Sequence, residues 1–531
     1  MEKVFNLFDF RQKVDYKIEI LSGLTVALAL VPEAIAFALI PGFSPLTGLY
    51  AAFVLALVTA ILGGRPGMIS GATGAVAVIF IGLILQLKEA FPGITPDKIL
   101  HYVFATVIIA GILQILAGLL RLGKFIRLVP HPVMFGFVNG LAIIIFMAQF
   151  PNFYSKATGE LLSTGPFSIM LGLTLLTMAI IWGLPKLTKA VPSSLVAILV
   201  VSLIVILGGV DTLTVADTMG DGETIKGGFP PLSIPQIPFT WQTFQIIFPF
   251  AAIVAGVGLI ESLLTLNIID EITDTRGRGN KECIAQGTAN ILSGFLSGMG
   301  GCAMIGQSLI NTSAGARARL SGITAAVMLL VFIMFGSSLI EQLPMAALVG
   351  LMFMVAIGTF EWASFKTFKK MPTSDVVVMI LVTLITAITH NLAIAVILGV
   401  VISALAYSWE NAKRIRARKY INEETGVKYY EIYGPLFFGS TTTFATKFDI
   451  QGDPEEVVID FAESRVADMS AIEALNKITE RYKKAGKTVH LKHLSQDCVT
   501  LLKNAEAIID VNVLEDPKYK LAVDANTLQE R

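Results

Sequence analysis

An acidic residue lies in the middle of one of the most apolar stretches of the chain. Glu261 occurs within the run 244–266, and Thr265 follows four residues later, on the same face of a helix. A carboxylate inside a membrane costs about 2.5–3.5 kcal/mol on insertion scales, so it usually faces the protein interior and has a function. The alternative is a structural carboxylate that only bonds to a neighbouring helix.

A second acid, Glu33, follows Pro32 in the first apolar run. Because proline lacks an amide hydrogen, the sequence predicts that this helix is kinked or locally unwound there. Glu33 is then a second candidate for a functional acid within the membrane. The alternative is an acid at the membrane interface or at a pore mouth.

Two short glycine-rich segments, 70–76 and 300–308, interrupt the apolar pattern. Non-helical backbone at membrane depth is tolerated only where it is buried in protein or lines a cavity. A helix that starts there offers unpaired N–H groups and about half a positive charge. Two such N-termini facing one another predict an anion site without a basic side chain. The alternative is that the glycines only allow helices to pack closely.

An acid beside an anion site repels the anion unless something neutralises the acid. A proton on Glu261, or a Na⁺ ligated by its oxygens together with Thr265, would remove the repulsion. Since residues 282–316 contain neither Lys nor Arg, the second glycine-rich segment brings no positive side chain. The pattern therefore favours cation-coupled symport over plain anion exchange.

The composition shows what must position these residues. Of 531 residues, 54% are hydrophobic and 15% are charged, against about 25% charged in soluble proteins. The net charge of zero gives no electrostatic case for nucleic acid. The three cysteines and five histidines lack disulfide or metal-ligand spacing, and we find no nucleotide-binding motif. The chain is therefore predicted to be a membrane protein with no enzymatic activity and no cofactor.

Apolar runs long enough to cross a membrane, about 20 residues, alternate with shorter ones. About fourteen passes are predicted: 18–40, 46–62, 74–87, 99–120, 131–149, 167–184, 191–209, 244–266, 284–296, 303–312, 320–340, 346–360, 375–390 and 392–409. Lys and Arg cluster in alternate loops, at the N-terminus and after residue 409, which places both termini in the cytoplasm. The acidic, proline-rich loop 211–240 then lies outside. It separates halves 17–209 and 243–409 of about seven passes each, the plan of an inverted repeat.

The chain changes character after residue 409. A basic linker, 410–427, precedes a soluble domain, 428–531, in which strands and helices alternate. Strands are predicted at 428–436, 456–460 and 488–491, and helices at 439–447, 470–484 and 495–505. The alternation predicts a small α/β domain with a mostly parallel sheet. Because the domain lacks a phosphate-binding turn and an acid–base constellation, a regulatory role is predicted.

Several motifs occur in a specific order. The first helix and the turn after it read VPEAIAFALIPGFSPLTGLY at 31–50, followed by GGRP at 63–66, SGATG at 70–74, NKE at 280–282 and GCAMIGQSLIN at 301–311. These motifs resemble the SulP family of sulfate permeases and related anion transporters. The tail, with Asp468, Met469 and Ser470 at a strand-to-helix turn, resembles the STAS domain of that family. The resemblance spans nearly the whole chain.

The resemblance implies fourteen helices in a seven-plus-seven inverted repeat, with core and gate subdomains that move like an elevator. It implies bicarbonate, sulfate, chloride or a small dicarboxylate as substrate, and a homodimer in the lipid bilayer of the cell membrane. The implied anion site lies between the third and tenth helices, with the first helix alongside. Its residues here are Phe37, Thr73, Gly74, Cys302, Ala303, Met304 and Ile305.

Departures from the family pattern bear on the coupling ion. Cyanobacterial relatives that bind Na⁺ have Asp where this chain has Glu261, whereas proton-coupled relatives have Glu. Many members have Gln in place of Glu33, so the resemblance implies that Glu33 adds a second protonatable group for cation coupling. Animal members carry an arginine in the tenth helix that is missing here, which argues against the hypothesis that the protein is an anion exchanger. Ser470 matches the turn serine that is phosphorylated in STAS relatives, so a cytoplasmic regulator of the tail is expected.

Three other functions are compatible with the sequence. The first is an uncoupled anion carrier or exchanger. The second is a nucleobase permease, which shares the fourteen-helix plan but not the STAS-like tail. The third is a membrane-tethered signalling protein with the tail as effector.

Overall fold

A computed structural model describes residues 15–123, 130–154, 160–188, 192–218, 227–367, 370–389 and 392–494. These residues belong to two compact units, Met1–Val400 and Val401–Arg531. The first unit consists of apolar helices, and the second contains a mixed α/β domain. The predicted helix at 495–505 lies outside the described residues.

The elements of the apolar unit follow the predicted order. They are α1 (Tyr16–Leu39), α2 (Pro45–Leu62), β1 (Ser70–Gly71), α3 (Gly74–Ala90), α4 (Pro96–Leu119), α5 (His131–Met147), α6 (Thr164–Leu187), α7 (Ser193–Gly208), α8 (Trp241–Thr273), α9 (Gly279–Phe295), β2 (Cys302–Ala303), α10 (Ile305–Ser313), α11 (Leu320–Phe335), α12 (Ser337–Glu341), α13 (Met345–Thr359), α14 (Ala363–Thr367), α15 (Thr373–Thr389) and α16 (Leu392–Ala412), which ends in the second unit.

The described residues contain eight helices that are long and apolar enough to cross a membrane. Shorter apolar helices, among them α7, α11 and α15, accompany them. Each predicted span contains a helix, and most ends differ by a few residues. The count of fourteen passes stays a prediction, because α3, α9 and α10 are short.

The largest shift in a helix end concerns α8, which continues to Thr273 rather than ending near Leu266. Its polar last turns have protein partners: Asp270 forms an ion pair with buried Arg65 at 3.1 Å, and Thr273 accepts a hydrogen bond from the same guanidinium. Apolar patterning does not detect a helix extended by such contacts. The span predicted at 320–340 instead breaks at Gly336, between α11 and α12.

Of the kink or local unwinding predicted near Pro32 in α1, the unwinding does not occur. The helix runs without interruption from Tyr16 to Leu39. Tight packing against α2 holds it: a Cβ added to Gly48 would lie 2.1 Å from the carbonyl oxygen of Ala34. Neighbouring helices can support a proline-containing membrane helix in this way.

The helices pack in two groups. In the first group, α1 packs on α2 and α11, α2 packs on α9, and α4 packs on α8 and α9. In the second group, α5 packs on α13 and α15, and α6 packs on α7 and α13. The contact between α4 and α9 is close because Gly111 and Gly287 face one another. A Cβ on Gly111 would lie 2.5 Å from the Gly287 carbonyl oxygen.

The tail domain contains a four-stranded sheet in the order β3 (Arg416–Ile421), β4 (Lys428–Tyr433), β5 (Glu456–Glu463) and β6 (Thr488–Lys492), with helices α17 (Thr441–Ala445) and α18 (Met469–Lys484). Strands β4, β5 and β6 are parallel, as predicted. The segment predicted as a linker, 410–427, instead supplies β3, which pairs antiparallel with β4. Its exposed, basic side chains concealed the strand, because an edge strand needs few apolar residues.

A buried acid anchors the tail domain. The Asp453 carboxylate accepts hydrogen bonds from Lys428 Nζ at 2.5 Å, from the Tyr430 hydroxyl at 2.7 Å and from the Tyr482 hydroxyl. Burial opposes ionisation, but these three donors outweigh it and hold the pKa of Asp453 below its ordinary value. The ionised group therefore stabilises the tail at neutral pH, and this contribution is lost as pH falls through the folded-state pKa.

Replacing Asp453 by Asn is expected to destabilise the tail by about 3 kcal/mol, because Lys428 and two tyrosines lose a buried charged acceptor. Hydrogen exchange of the β4 and β5 amides in the full-length protein should accelerate roughly a hundredfold. The exposed pair of Glu480 and Lys484 supplies the control, since Glu480→Gln should change exchange little. Equal exchange rates in Asp453→Asn and the wild type would contradict the anchoring role.

Candidate functional site

The two glycine-rich segments meet in the structure. Strand β1 pairs antiparallel with β2, with Ser70 opposite Ala303 and Gly71 opposite Cys302. Helix α3 starts three residues after Gly71, and α10 starts two residues after Ala303. The pairing therefore brings the N-termini of two helices to one place, although they are more than 200 residues apart in sequence.

Neither helix is capped by a side chain at this point. Thr73 occupies the N-cap of α3 and Met304 that of α10, and neither forms a side-chain cap bond. The carbonyls of Thr73 and Met304 accept from the amides of Ala77 and Ser308, so the preceding amides of each first turn are left without a partner within the helix. Partial positive charge and free N–H groups from two helices suit an anion.

Apolar side chains cover the start of α3. A Cβ on Gly74 would lie 2.9 Å from the Phe37 ring and 2.8 Å from Ile145, so a larger residue would have to displace these side chains. Phe37 comes from α1 and is 4% exposed. The structure thus brings Phe37 and Gly74 together.

The four predicted residues around the start of α10 differ in exposure. Cys302 and Ala303 are buried, Met304 is partly buried and Ile305 is 38% exposed. The Met304 amide donates to the Ile69 carbonyl at 2.9 Å, which extends the contact between the two segments. Ile305 is therefore the most accessible of the four residues.

A chain of polar contacts links the intramembrane acid to the helix N-termini. The Cys302 thiol donates to Glu261 Oε2 at 2.6 Å, and its sulfur lies 3.2 Å from Thr73 Oγ1. Cys302 is fully buried, whereas Glu261 is partly exposed. A single side chain, that of Cys302, therefore separates the acid from Thr73 at the start of α3.

The Thr265 hydroxyl, predicted to join Glu261 in binding a cation, forms a hydrogen bond to the main chain. Thr265 Oγ1 donates at 2.8 Å to the main-chain carbonyl of Glu261, one helical turn earlier. A threonine inside a helix commonly satisfies its hydroxyl in this way. The hydroxyl of the neighbouring Ser262 accepts from the Ala303 amide at 3.1 Å and so links α8 to β2.

Glu33 belongs to a separate contact. Its carboxyl interacts with the side-chain amide of Gln307, in the first turn of α10. Gln307 is 2% exposed, and its Oε1 has no hydrogen-bond partner in the described part of the chain. Glu33 thus lies beside the second helix N-terminus, whereas Glu261 is joined to the first.

A buried polar face of α9 supports the site. The sequence analysis did not predict this face. Glu282, Gln286, Asn290 and Ser293 recur at helical spacing and are all buried. Asn290 accepts from the Gly301 amide at 2.9 Å and donates to its carbonyl at 3.0 Å. The spacing of these residues in the sequence could have revealed it, because four polar residues on one face of a membrane helix indicate a buried hydrogen-bond network.

The other functional expectations concern a metal and the tail. Among the residues described, no group of three His, Cys, Asp or Glu could hold a metal ion. Ser470 is exposed in the first turn of α18, where Asp468 accepts from the Ala471 amide at 2.9 Å and from the Phe438 amide at 2.8 Å. The position leaves Ser470 accessible, and its phosphorylation remains a prediction.

Known proteins resemble this chain over most of its length. Residues 17–383 match the sulfate permease family, and residues 419–513 match the STAS domain. The putative sulfate transporter YbaR of Bacillus subtilis is 43% identical over 487 residues, covering 91% of this chain and 96% of YbaR. The bicarbonate transporter BicA of Picosynechococcus is 30% identical over 498 residues, covering 87% of this chain and 86% of BicA.

A solved structure supports the fold. Murine Slc26a9, an anion transporter in an inward-facing state, matches with a TM-score of 0.79 at 18% identity, covering 96% of this chain and 91% of that one. At that identity the likeness concerns the architecture alone. The relatives are transporters and not enzymes, as the sequence predicts. With its membrane unit and its C-terminal tail both matched, the chain belongs to the sulfate permease family and carries a STAS domain.

Proposed function

We propose that this protein is a secondary active transporter that imports a small inorganic anion, bicarbonate or sulfate, together with a proton. The observation that carries the proposal is the β1–β2 pairing, which sets two uncapped helix N-termini side by side. Relatives named for sulfate and for bicarbonate support this substrate class. The two helix ends supply roughly one positive charge in total, enough to bind a small anion without a basic side chain.

The contacts of Glu261 favour a proton over Na⁺ as the coupling ion. Sodium prefers several oxygen ligands, but the side chain that contacts the Glu261 carboxylate is the thiol of Cys302, and sulfur is a poor ligand for sodium. A proton needs only the carboxylate. Protonation removes the negative charge beside the anion, so binding of the two ions becomes mutually dependent.

The packing supports elevator-like alternating access. The site is built from α1, α3, α8 and α10, and hydrogen bonds tie its parts together: Ser22 donates to Asn311 at 2.6 Å, and Ser308 bonds to both main-chain groups of Ile69. Because α3 packs on α8, and α10 packs on α1 and α8, these two helices can move with the first packing group as one body that carries the site past the second group. Cell-membrane localisation, cytoplasmic termini, a homodimer and a regulator of the tail complete the proposal.

Uptake by reconstituted proteoliposomes tests the proposal. Labelled bicarbonate and sulfate are supplied with an inward proton gradient, an inward Na⁺ gradient, or neither. We expect uptake of one of these anions to follow the proton gradient. Uptake driven by Na⁺ alone would contradict the choice of ion, and uptake that depends only on an anion inside the vesicle would indicate an exchanger. Binding of uracil or xanthine, without anion flux, would indicate a nucleobase permease.

A further inference from the structure

The hydroxyl of Thr73 is turned away from the helix that it should cap. Threonine at an N-cap ordinarily accepts from an amide of the first turn. Here Thr73 forms no such bond, and its Oγ1 lies 3.2 Å from the sulfur of Cys302. The start of α3 keeps its free amides, and the hydroxyl that could also serve an anion there is occupied by the thiol.

The direction of each hydrogen bond follows from counting protons. A thiol has a single proton, and an ionised carboxylate can only accept. Because the Cys302 proton points to Glu261, the Thr73 hydroxyl must donate to the sulfur. The chain then runs from Thr73 through Cys302 to Glu261.

We infer that Cys302 is a positioning residue. When Glu261 takes up a proton, Cys302 reverses the direction of the hydrogen bonds between Thr73 and Glu261 and so presents the Thr73 hydroxyl to the anion. In the reversed chain, the Glu261 O–H donates to the sulfur, the S–H donates to Thr73 Oγ1, and the Thr73 O–H is free to donate to the anion. Only rotations about the C–O and C–S bonds are needed, and no covalent bond changes apart from protonation of the carboxylate. The inference rests on the proposed proton-coupled transport.

The main chain on both sides of Cys302 is held in place. The Ala303 amide donates to Ser262, and the Gly301 amide and carbonyl bond to Asn290. Heavy-atom movement is therefore restricted, whereas the thiol and hydroxyl hydrogens can rotate. A change at Glu261 is transmitted through the hydrogens without moving β2.

Among the described residues, the other charged groups on the elements packed against α8 do not contact Glu261, because they lie near helix ends or bond to other residues. On α9, Glu282 accepts from the Gly64 amide at 2.7 Å and from Gln286 at 2.9 Å. Arg65, before β1, pairs with Asp270 near the end of α8. The remainder lie near helix ends: Lys88 and Glu89 on α3, Asp97, Lys98 and His101 on α4, and Lys281 on α9, while Cys283 is buried on α9.

The test measures how much protonation raises anion affinity, from the KM of uptake at low and high external pH. Cys302→Ala breaks the chain but leaves Glu261 ionisable. We expect the ratio of the two KM values to fall about tenfold, chiefly because anion affinity improves at high pH, where Thr73 is no longer held by the sulfur. Cys302→Ser retains one proton and one acceptor, so it should preserve the ratio. Thr73→Val should weaken binding at low pH.

A spectroscopic measurement decides the hydrogen-bond chain independently of transport. In full-length protein with Cys283 and Cys498 replaced by Ala, the infrared S–H stretch reports on Cys302 alone. We expect the band to move to higher frequency in Glu261→Gln. The amide N–H should donate to the sulfur as the protonated acid does, and the S–H then bonds to the Thr73 hydroxyl, a weaker acceptor than a carboxylate. An unchanged band would overturn the inference.

The outcomes separate the inference from the function. A proton-coupled wild type whose KM ratio is unaltered by Cys302→Ala would overturn the role of the thiol and leave the proposed function intact. A wild type without any proton dependence would overturn both, even if the band shifts. A merely structural role of Cys302 would lower uptake equally at both pH values.

Discussion

Replacing Glu261 by Gln is expected to make anion uptake independent of the proton gradient. In the wild type, an ionised Glu261 repels the anion at the start of α3, and a proton relieves the repulsion. For charges roughly 6 Å apart in an effective dielectric of about 20, the penalty is about 3 kcal/mol, or roughly a hundredfold in anion affinity. Glutamine carries no charge, so the KM for the anion should stay near the wild-type value at low pH across the whole range.

The experiment compares uptake by the variant and the wild type in proteoliposomes at several external pH values, with and without an inward proton gradient. Glu271→Gln is the matched control, because Glu271 lies exposed on the same helix. It should retain the wild-type pH dependence. If Glu261→Gln keeps a gradient-driven uptake equal to that of the wild type, Glu261 is not the coupling group. If neither protein responds to the gradient, Glu261 is structural and the protein is a carrier or an exchanger.

A methyl group at Gly301 is expected to reduce anion transport at least tenfold. A Cβ at this position would lie 2.0 Å from the carbonyl oxygen of Gly71 and 2.9 Å from Leu55. Backbone atoms cannot yield as a flexible side chain can, and Asn290 holds Gly301 from the other side. In Gly301→Ala, β1 and β2 must therefore separate, and the two helix N-termini lose the spacing that binds the anion.

Anion binding by the purified protein, measured by calorimetry, checks this second prediction together with uptake. Gly256→Ala is the matched control, since an added Cβ on this exposed glycine of α8 meets no atom within 4 Å in the described structure. Melting temperature and size-exclusion profile separate a displaced site from a misfolded protein. Wild-type affinity in Gly301→Ala would show that the pairing of β1 and β2 does not hold the site.

Most helices and the two breaks between them could be recognised in advance, because they depend on local sequence. Each predicted apolar run contains a helix, most with ends within a few residues, and the glycine-rich segments mark where α3 and α10 begin. Predictions from local sequence were wrong where contacts with distant residues decide the secondary structure. Pro32 does not interrupt α1, and the basic segment after α16 contributes β3 to the tail sheet.

The sequence by itself determined that the chain is a membrane protein with an acid inside an apolar helix, two broken helices and an α/β tail. Composition, hydrophobic run length and strand–helix alternation are properties of neighbouring residues. Only the tertiary structure decided which partners the acid has. Cys302 lies 41 residues from Glu261 and 229 from Thr73, whereas the nearby Thr265 bonds to the main chain. Sequence spacing orders groups within one helix, but contacts between helices arise from packing, and here packing places a thiol between the carboxylate and the helix N-terminus.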